Sequence, residues 1–152
     1  MKPTVFLRIA SVLTLIHSAL HTIGGVFGRP APGIGAVTYT IMQANYFHVL
    51  GVTRSYWEFY RGLGLAVTIA LTAEGLLFWL LGSIAKKHPV ELRPILWVFA
   101  LAYLVIAVNS YTYFFAGPVI AEIMIATCLL GAIATTKSQA SQAVAFQAGA
   151  GD

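Results

Sequence analysis

The sequence predicts an all-α integral membrane protein: an antiparallel four-helix transmembrane bundle with a short interfacial helix between the first and second spans. Two observations lead to this fold class. Of the 152 residues, 59% are hydrophobic and only 9% are charged, well below the roughly 25% of charged residues in soluble domains. The apolar residues also form four long blocks separated by short segments rich in proline, glycine or charge. Helices that cross a lipid core have this pattern.

The first two predicted elements are a span and an interfacial helix. Residues 4–26 are long and apolar enough to cross a hydrocarbon core of about 30 Å. We expect this block to stay in the protein, because two histidines interrupt it and no small-x-small cleavage site closes it. The segment 27–33 reads FGRPAPG, and its prolines and glycines cannot continue a helix. Residues 34–50 place apolar side chains at helical spacing beside polar ones, which favours a helix in the membrane interface.

Three further spans follow. The second covers about 55–84 and begins with the aromatic cluster YWEFY, which is typical of the lipid headgroup level. A charged turn at 86–94 leads to the third span, 95–115, and the tight turn AGP opens the fourth. These spans make up a transmembrane domain at 1–136. Residues 137–152 are rich in Ala, Gln and Ser, and we expect a flexible cytoplasmic tail there.

The basic residues predict the orientation in a bacterial inner membrane. Six Lys and Arg near the span ends fall on one side and two on the other: Lys2, Arg8, Lys86, Lys87, Arg93 and Lys137 against Arg29 and Arg54. The side richer in Lys and Arg is usually cytoplasmic, so both termini are expected in the cytoplasm. The net charge of +4 does not indicate nucleic acid, because the chain has no basic run with interleaved aromatics.

Several polar and ionisable side chains fall inside the predicted spans. A charge at the bilayer centre costs about 3 kcal/mol on insertion scales, so such residues usually face the protein interior and mark function. Depths counted along the helices place one residue of every span at one level. These residues are His21, Arg61, Asn109 and Glu122. With His17 one turn deeper and Glu58 one turn shallower, we expect a single pocket that opens to the outer face.

The side chains assigned to this pocket suit acid/base chemistry on a small lipophilic substrate. A buried histidine and glutamate that face each other can exchange a proton, and an arginine can hold an anion. The predicted catalytic residues are His21, Glu122, Arg61 and Glu58. The predicted ligand-binding residues are His17, Asn109, Tyr113 and Trp57. Isomerisation or cyclisation of a terpenoid, quinone or epoxide would fit such a pocket. Glu74 is left apart, because it lies deeper and on the opposite helix face from Arg61.

Other interpretations of the same residues stay open. His17 and His21, four apart, are candidates for a divalent metal or haem ligand. The histidines could instead bond to carbonyls, and Glu58 could pair with Arg61 or reach the interface. Trp57 and the nearby tyrosines also fit an aromatic belt. The whole chain could also be a non-catalytic subunit of a homo-oligomer or larger membrane complex, whose polar groups hold helices in register.

Two stretches carry a resemblance. At HSALHTIGGVFG, His17–Gly28, and TRSYWEFYRGLGL, Thr53–Leu65, the chain resembles an uncharacterised family of small bacterial four-helix integral membrane proteins. The resemblance covers nearly the whole chain up to about Thr136, and it implies a topology without an activity. In general plan the chain is also similar to membrane glutathione transferases and styrene oxide isomerase. The Arg and His pattern expected for glutathione is absent from 54–65, so that similarity is one of architecture.

Overall fold

The structure is a computed structural model that describes the backbone of residues 2–149 and the side chains of residues 2–136. Within that part the chain is mostly helical, at 79%, with five α-helices. They are α1 (Pro3–Leu20), α2 (Ile34–Ala44), α3 (Tyr56–Ile84), α4 (Arg93–Tyr113) and α5 (Ala116–Gly149). The predicted flexible tail, 137–152, lies outside the residues whose side chains are described, and it stays a prediction.

Four helical stretches are long and apolar enough to cross a membrane. They are Pro3–Val26, Tyr56–Ile84, Arg93–Tyr113 and Ala116–Thr136. The first three differ from the predicted spans by at most two residues, and the prediction of four membrane-length helices is confirmed. The segment AGP, predicted as a turn, is the start of α5, and the break between α4 and α5 falls at Phe114 and Phe115. The length and composition of the four stretches indicate a multi-pass membrane protein.

The first span is not α-helical to its end. From His21 to Val26 the chain forms a π-helix, and the Phe27 N–H donates to the Thr22 carbonyl at 3.0 Å. A π-helix widens the turn by one residue, and the pair GG inside this segment tolerates the change because glycine has no Cβ. The span therefore keeps its predicted length but changes its helix type at His21.

A β-hairpin replaces the end of the predicted interfacial helix, after Ala44. Strand β1 (Tyr46–Val49) pairs antiparallel with β2 (Val52–Ser55). Leu50 and Gly51 form the turn with φ values of 49° and 80°, as a type I′ turn requires. The helix predicted over 34–50 is thus correct for α2 and wrong beyond it. The missed signal is a glycine in a two-residue turn between β-branched and aromatic residues.

The chain divides into two compact units. Unit 1 consists of Met1–His17 and Ala73–Asp152, and unit 2 consists of Ser18–Thr72. Unit 1 contains the apolar core, to which all four long helices contribute buried side chains. Its larger members are Leu7, Phe78, Leu81, Leu96, Tyr103, Ile125, Leu129 and Ile133. In this unit α4 and α5 pack along each other.

Gly75 shows how closely the helices of unit 1 approach. It is buried, and the Ser11 hydroxyl donates to its carbonyl at 2.6 Å. A Cβ atom at Gly75 would lie 2.8 Å from the side chain of Leu15. Small residues let membrane helices come this near to each other. In unit 1 the backbones of α1 and α3 therefore lie close together at this point.

Hydroxyl groups connect the helices of unit 2. The Ser18 hydroxyl donates to the Thr68 carbonyl at 3.1 Å and lies 2.9 Å from the Thr72 hydroxyl oxygen. The Thr22 and Thr68 hydroxyl oxygens are 3.0 Å apart. Such bonds satisfy polar side chains between membrane helices and hold their register.

Candidate functional site

Glu122 lies near the start of α5, inside unit 1. Its side chain is only 3% exposed, and the Ser110 hydroxyl donates to Oε1 at 2.9 Å. The other oxygen, Oε2, is buried and has no hydrogen-bond partner among the described residues. Burying a polar atom without a hydrogen-bond partner costs free energy, unless the atom carries a proton or contacts another polar group.

A second acid of unit 1 bonds to a buried tyrosine. The Tyr103 hydroxyl, on α4, donates to Glu74 Oε2 at 2.6 Å. Tyr103 is 2% exposed, and Glu74 is half-buried. Unit 1 thus contains two acids with hydroxyl donors on α4: Glu74, which accepts from Tyr103, and Glu122, which accepts from Ser110.

The periodicity of α4 explains why Tyr103 and Ser110 belong to this site. Five residues spaced three or four apart form its buried stripe: Leu96, Ala100, Tyr103, Ala107 and Ser110. Asn109, the predicted ligand-binding residue of this helix, lies next to Ser110 and is exposed. The α4 side chain that bonds Glu122 is therefore Ser110.

Sequence reasoning missed Tyr103 and Ser110 and set Glu74 apart. The prediction rested on side-chain polarity and on depth counted along each helix. By those two measures Asn109 is the most polar side chain near the end of its span. The available signal was the stripe of small residues at positions 100, 107 and 110, because small side chains mark the face on which membrane helices pack. Tyr103 lies in the middle of that stripe.

The two metal-candidate histidines belong to different units. His17 is half-buried on α1 in unit 1. In unit 2, His21 Nε2 lies 3.1 Å from the Gly64 carbonyl oxygen. A carbonyl only accepts, so Nε2 carries the hydrogen and Nδ1 is the basic ring atom. This is the bond expected of a histidine that satisfies a carbonyl. In the described part of the chain, no three His, Cys, Asp or Glu lie together as a metal site.

Glu58 and Ser55 form a capping box at the start of α3. The Ser55 N–H donates to Glu58 Oε2 at 2.8 Å, and the Glu58 N–H donates to Ser55 Oγ at 3.1 Å. This reciprocal pair satisfies backbone donors that a helix start leaves open. Arg61 lies over the ring of Phe27, 4.8 Å from its centroid. Glu58 and Arg61, both described and both exposed, form no ion pair with each other.

The remaining predicted ligand-binding residues are aromatic. Trp57, in unit 2, contacts the edge of Tyr39 at 4.5 Å and stacks on Tyr60 at 5.6 Å between ring centroids. Tyr113 ends α4 and is 74% exposed. Unit 1 brings Glu122 together with Ser110. The single pocket predicted for six polar residues stays a prediction.

No protein-family model, curated protein or solved structure matches this chain. The resemblance to small bacterial four-helix membrane proteins therefore stays a prediction. A function for this chain therefore rests on the contacts within each unit.

Proposed function

We propose that this protein binds a small lipophilic molecule inside the membrane at Glu122 and exchanges a proton with it. The observation that carries the proposal is the state of Glu122 Oε2. This oxygen is buried without a hydrogen-bond partner among the described residues, while Ser110 holds the other oxygen at 2.9 Å. Ionisable residues inside membrane helices are rare and usually functional.

The chemistry follows from the two carboxyl groups. Because Ser110 donates to Oε1, a proton carried by Glu122 resides on Oε2, where a bound molecule can take it. Glu74, bonded to Tyr103, supplies a second acid that can accept or return a proton. Isomerisation adds one proton to a substrate and removes another, so it needs no oxidant or other cofactor. Two acids in one unit, each bonded to a hydroxyl group, suit that reaction class or a related cyclisation.

The proposal includes the finer arrangement of the chain. We place the four helices in an antiparallel bundle with α2 in the interface, because only Phe114 and Phe115 separate α4 from α5 and short connections favour antiparallel neighbours. The distribution of Lys and Arg puts both termini in the cytoplasm. In a Cys128→Ala background, Lys87→Cys should react with an impermeant maleimide only from the cytoplasmic side, and Arg54→Cys only from the outer side. The reverse labelling pattern would show that the topology is opposite to the proposed one.

The decisive experiment compares E122Q with E91Q. Glu91 is an exposed acid that bonds His88 at 3.1 Å, and it serves as a matched control. Full-length protein is purified in detergent, and its co-purifying lipophilic molecules are extracted and measured by mass spectrometry. Wild type and E91Q should retain the same molecule, and E122Q should lose it while its melting temperature stays close to that of wild type. Equal retention by E122Q would refute the proposal.

A purely structural contact is the second candidate. The bond between Ser110 and Glu122 joins α4 to α5, and such interhelical bonds contribute about 0.6 kcal/mol on average. In that case E122Q and S110A would lower the melting temperature by similar amounts, and wild type would carry no specific molecule. The same purified samples distinguish the two functions.

A further inference from the structure

Unit 2 contains a groove of about 430 Å³ that is lined differently on its two sides. Glycines of the π-helix and the following break, including Gly24 and Gly28, form one side. Three aromatic rings, those of Tyr39, Trp57 and Tyr60, form the other. Of the residues predicted for the acid/base pocket only Trp57 lines it, and Glu122, Ser110, Glu74 and Tyr103 do not. The groove therefore needs its own explanation.

The aromatic side of the groove is braced by ring contacts. Tyr39 on α2 meets Trp57 on α3 edge to face at 65°, and Trp57 stacks on Tyr60 at 29°. Tyrosine and tryptophan combine an apolar ring with a polar tip, and they concentrate where lipid tails meet headgroups. This side of the groove offers a preformed aromatic surface to the upper part of a lipid.

Arg29 provides the charge of the groove. It is the charged residue among the lining side chains, and it is exposed, with no hydrogen bond or ion pair within the described part of the chain. Unit 2 as a whole has three arginines and one acid, Glu58, whose carboxylate is held by the Ser55 N–H. The charge of the groove therefore complements an anion.

The position of the groove along the chain gives the depth of its occupant. Its glycine side includes the end of the first membrane-length stretch, which stops at Val26, and its aromatic side includes the start of the next, which begins at Tyr56. Ends of membrane-length helices lie at the headgroup level. An anion present in this layer is the phosphate of a phospholipid.

We propose that this groove binds the headgroup of an anionic phospholipid. Arg29 faces the phosphate, and the rings of Trp57 and Tyr60 cover the glycerol and the first carbons of the acyl chains. Free inorganic phosphate would use Arg29 alone and leave the aromatic surface uncovered, so the full lining favours the lipid.

The test uses Trp57 as the probe. The chain has three tryptophans, so W79F and W97F leave Trp57 as the single tryptophan of the full-length protein, and excitation at the red edge of the tryptophan band avoids the tyrosines. Trp79 and Trp97 lie in unit 1, on α3 and α4, outside the groove. The protein is reconstituted in phosphatidylcholine vesicles that contain increasing fractions of phosphatidylglycerol with brominated acyl chains. Bromine quenches tryptophan on contact, so quenching should saturate at a lower fraction than with brominated phosphatidylcholine.

Two substitutions separate a built site from general attraction to the surface. R29Q should weaken the preference for phosphatidylglycerol about fivefold, the effect of one basic residue near an anionic surface. R54Q is the matched control, because Arg54 lies on β2 and does not line the groove, and it should leave the preference unchanged. Equal losses in R29Q and R54Q would overturn the proposal.

A third variant tests the groove without changing charge. A Cβ atom at Gly24 would meet no atom within 4 Å, so Gly24→Leu adds bulk at the groove where the backbone has room for a side chain. Selective quenching should be lost while the melting temperature is kept. Unchanged quenching in this variant, equal quenching by brominated phosphatidylcholine, or release of the lipid by millimolar inorganic phosphate would each contradict the assignment.

Discussion

The two units use their polar side chains in different ways. In unit 1 the carboxyl group of Glu122 is buried and bonded to a hydroxyl, and Glu74 is bonded to a buried phenol. In unit 2 the charged groups of Arg29, Glu58 and Arg61 are exposed. Ionisable groups buried within membrane helices are usually functional, whereas aromatic rings and charges near helix ends are typical of the lipid headgroup level. The polar residues of the membrane-length helices therefore have to be interpreted separately for each unit.

The packing of the two units differs as well. The apolar core consists of unit 1 residues, including the fully buried Leu7, Phe78 and Leu129. In unit 2, α2 has no buried residue, and its order depends on ring contacts such as that between Tyr39 and Trp57. Substitutions should therefore cost far more stability in unit 1 than in unit 2.

The largest difference is expected between two phenylalanines. Phe78, in unit 1, is 0% exposed and contacts Phe99 with 5.1 Å between ring centroids. Its replacement by alanine should cost about 3–5 kcal/mol of unfolding free energy, because the cavity stays unfilled. Phe59, in unit 2, is 54% exposed and contacts the ring of Phe47. Phe59→Ala should cost about 1 kcal/mol of unfolding free energy, the value of one aromatic ring contact. Titration with SDS in mixed micelles measures both losses of unfolding free energy. Equal losses for the two variants would contradict the difference in packing between the units.

A second pair of variants tests how closely the helices approach. Gly75→Leu puts a Cβ 2.8 Å from Leu15, so this overpacking should cost about 1–3 kcal/mol. Gly62→Leu is the control in unit 2, where a Cβ meets no atom within 4 Å, and it should be close to neutral. The same micelle titration applies. If Gly62→Leu destabilised the protein as much as Gly75→Leu, unit 2 would be packed more tightly than its contacts indicate.

A smaller effect is expected at the start of α3. Ser55→Ala removes one bond of the capping box and should cost about 1 kcal/mol. In a double-mutant cycle, Ser55→Ala and Glu58→Ala should couple, because each side chain bonds the backbone of the other residue. Glu58→Gln should be nearly neutral, since glutamine also serves in this motif. A large loss of ligand retention in Glu58→Gln, with stability kept, would instead support the catalytic role predicted for this residue.

The smallest effect is expected at the hairpin turn of unit 2. Leu50 has a φ of 49°, a conformation that leucine adopts at a cost and asparagine adopts readily. Leu50→Asn should slow hydrogen exchange of the β1 and β2 amides about two- to fivefold, which corresponds to roughly 0.5–1 kcal/mol. Leu50→Val is the opposite control, because a β-branched residue is disfavoured at positive φ and should speed the exchange. Faster exchange in the asparagine variant would contradict the turn assignment.

The four membrane-length helices could be predicted because hydropathy over about 20 residues is a local property of the chain. The hairpin of β1 and β2 was missed although Gly51 in its two-residue turn is a local signal, because apolar residues at helical spacing continue from α2 as far as Phe47. Glu122 is a buried acid with no basic residue within one turn of its helix, and the catalytic role predicted for it stays a prediction. Its partner was not found, because Ser110 and Asn109 are adjacent in the sequence and only one of them faces the protein.

By itself the sequence determined how many helices can cross a membrane and which ionisable residues lie within them, since both follow from residue order and helical rise. Tertiary structure alone decided the rotation of each helix, and with it the burial of Ser110 and Tyr103 and the exposure of Asn109. The physical reason is that lipid is as apolar as a protein core, so hydropathy does not distinguish the two faces of a membrane helix. Close packing of small residues and single hydrogen bonds set that rotation, and both depend on the neighbouring helices.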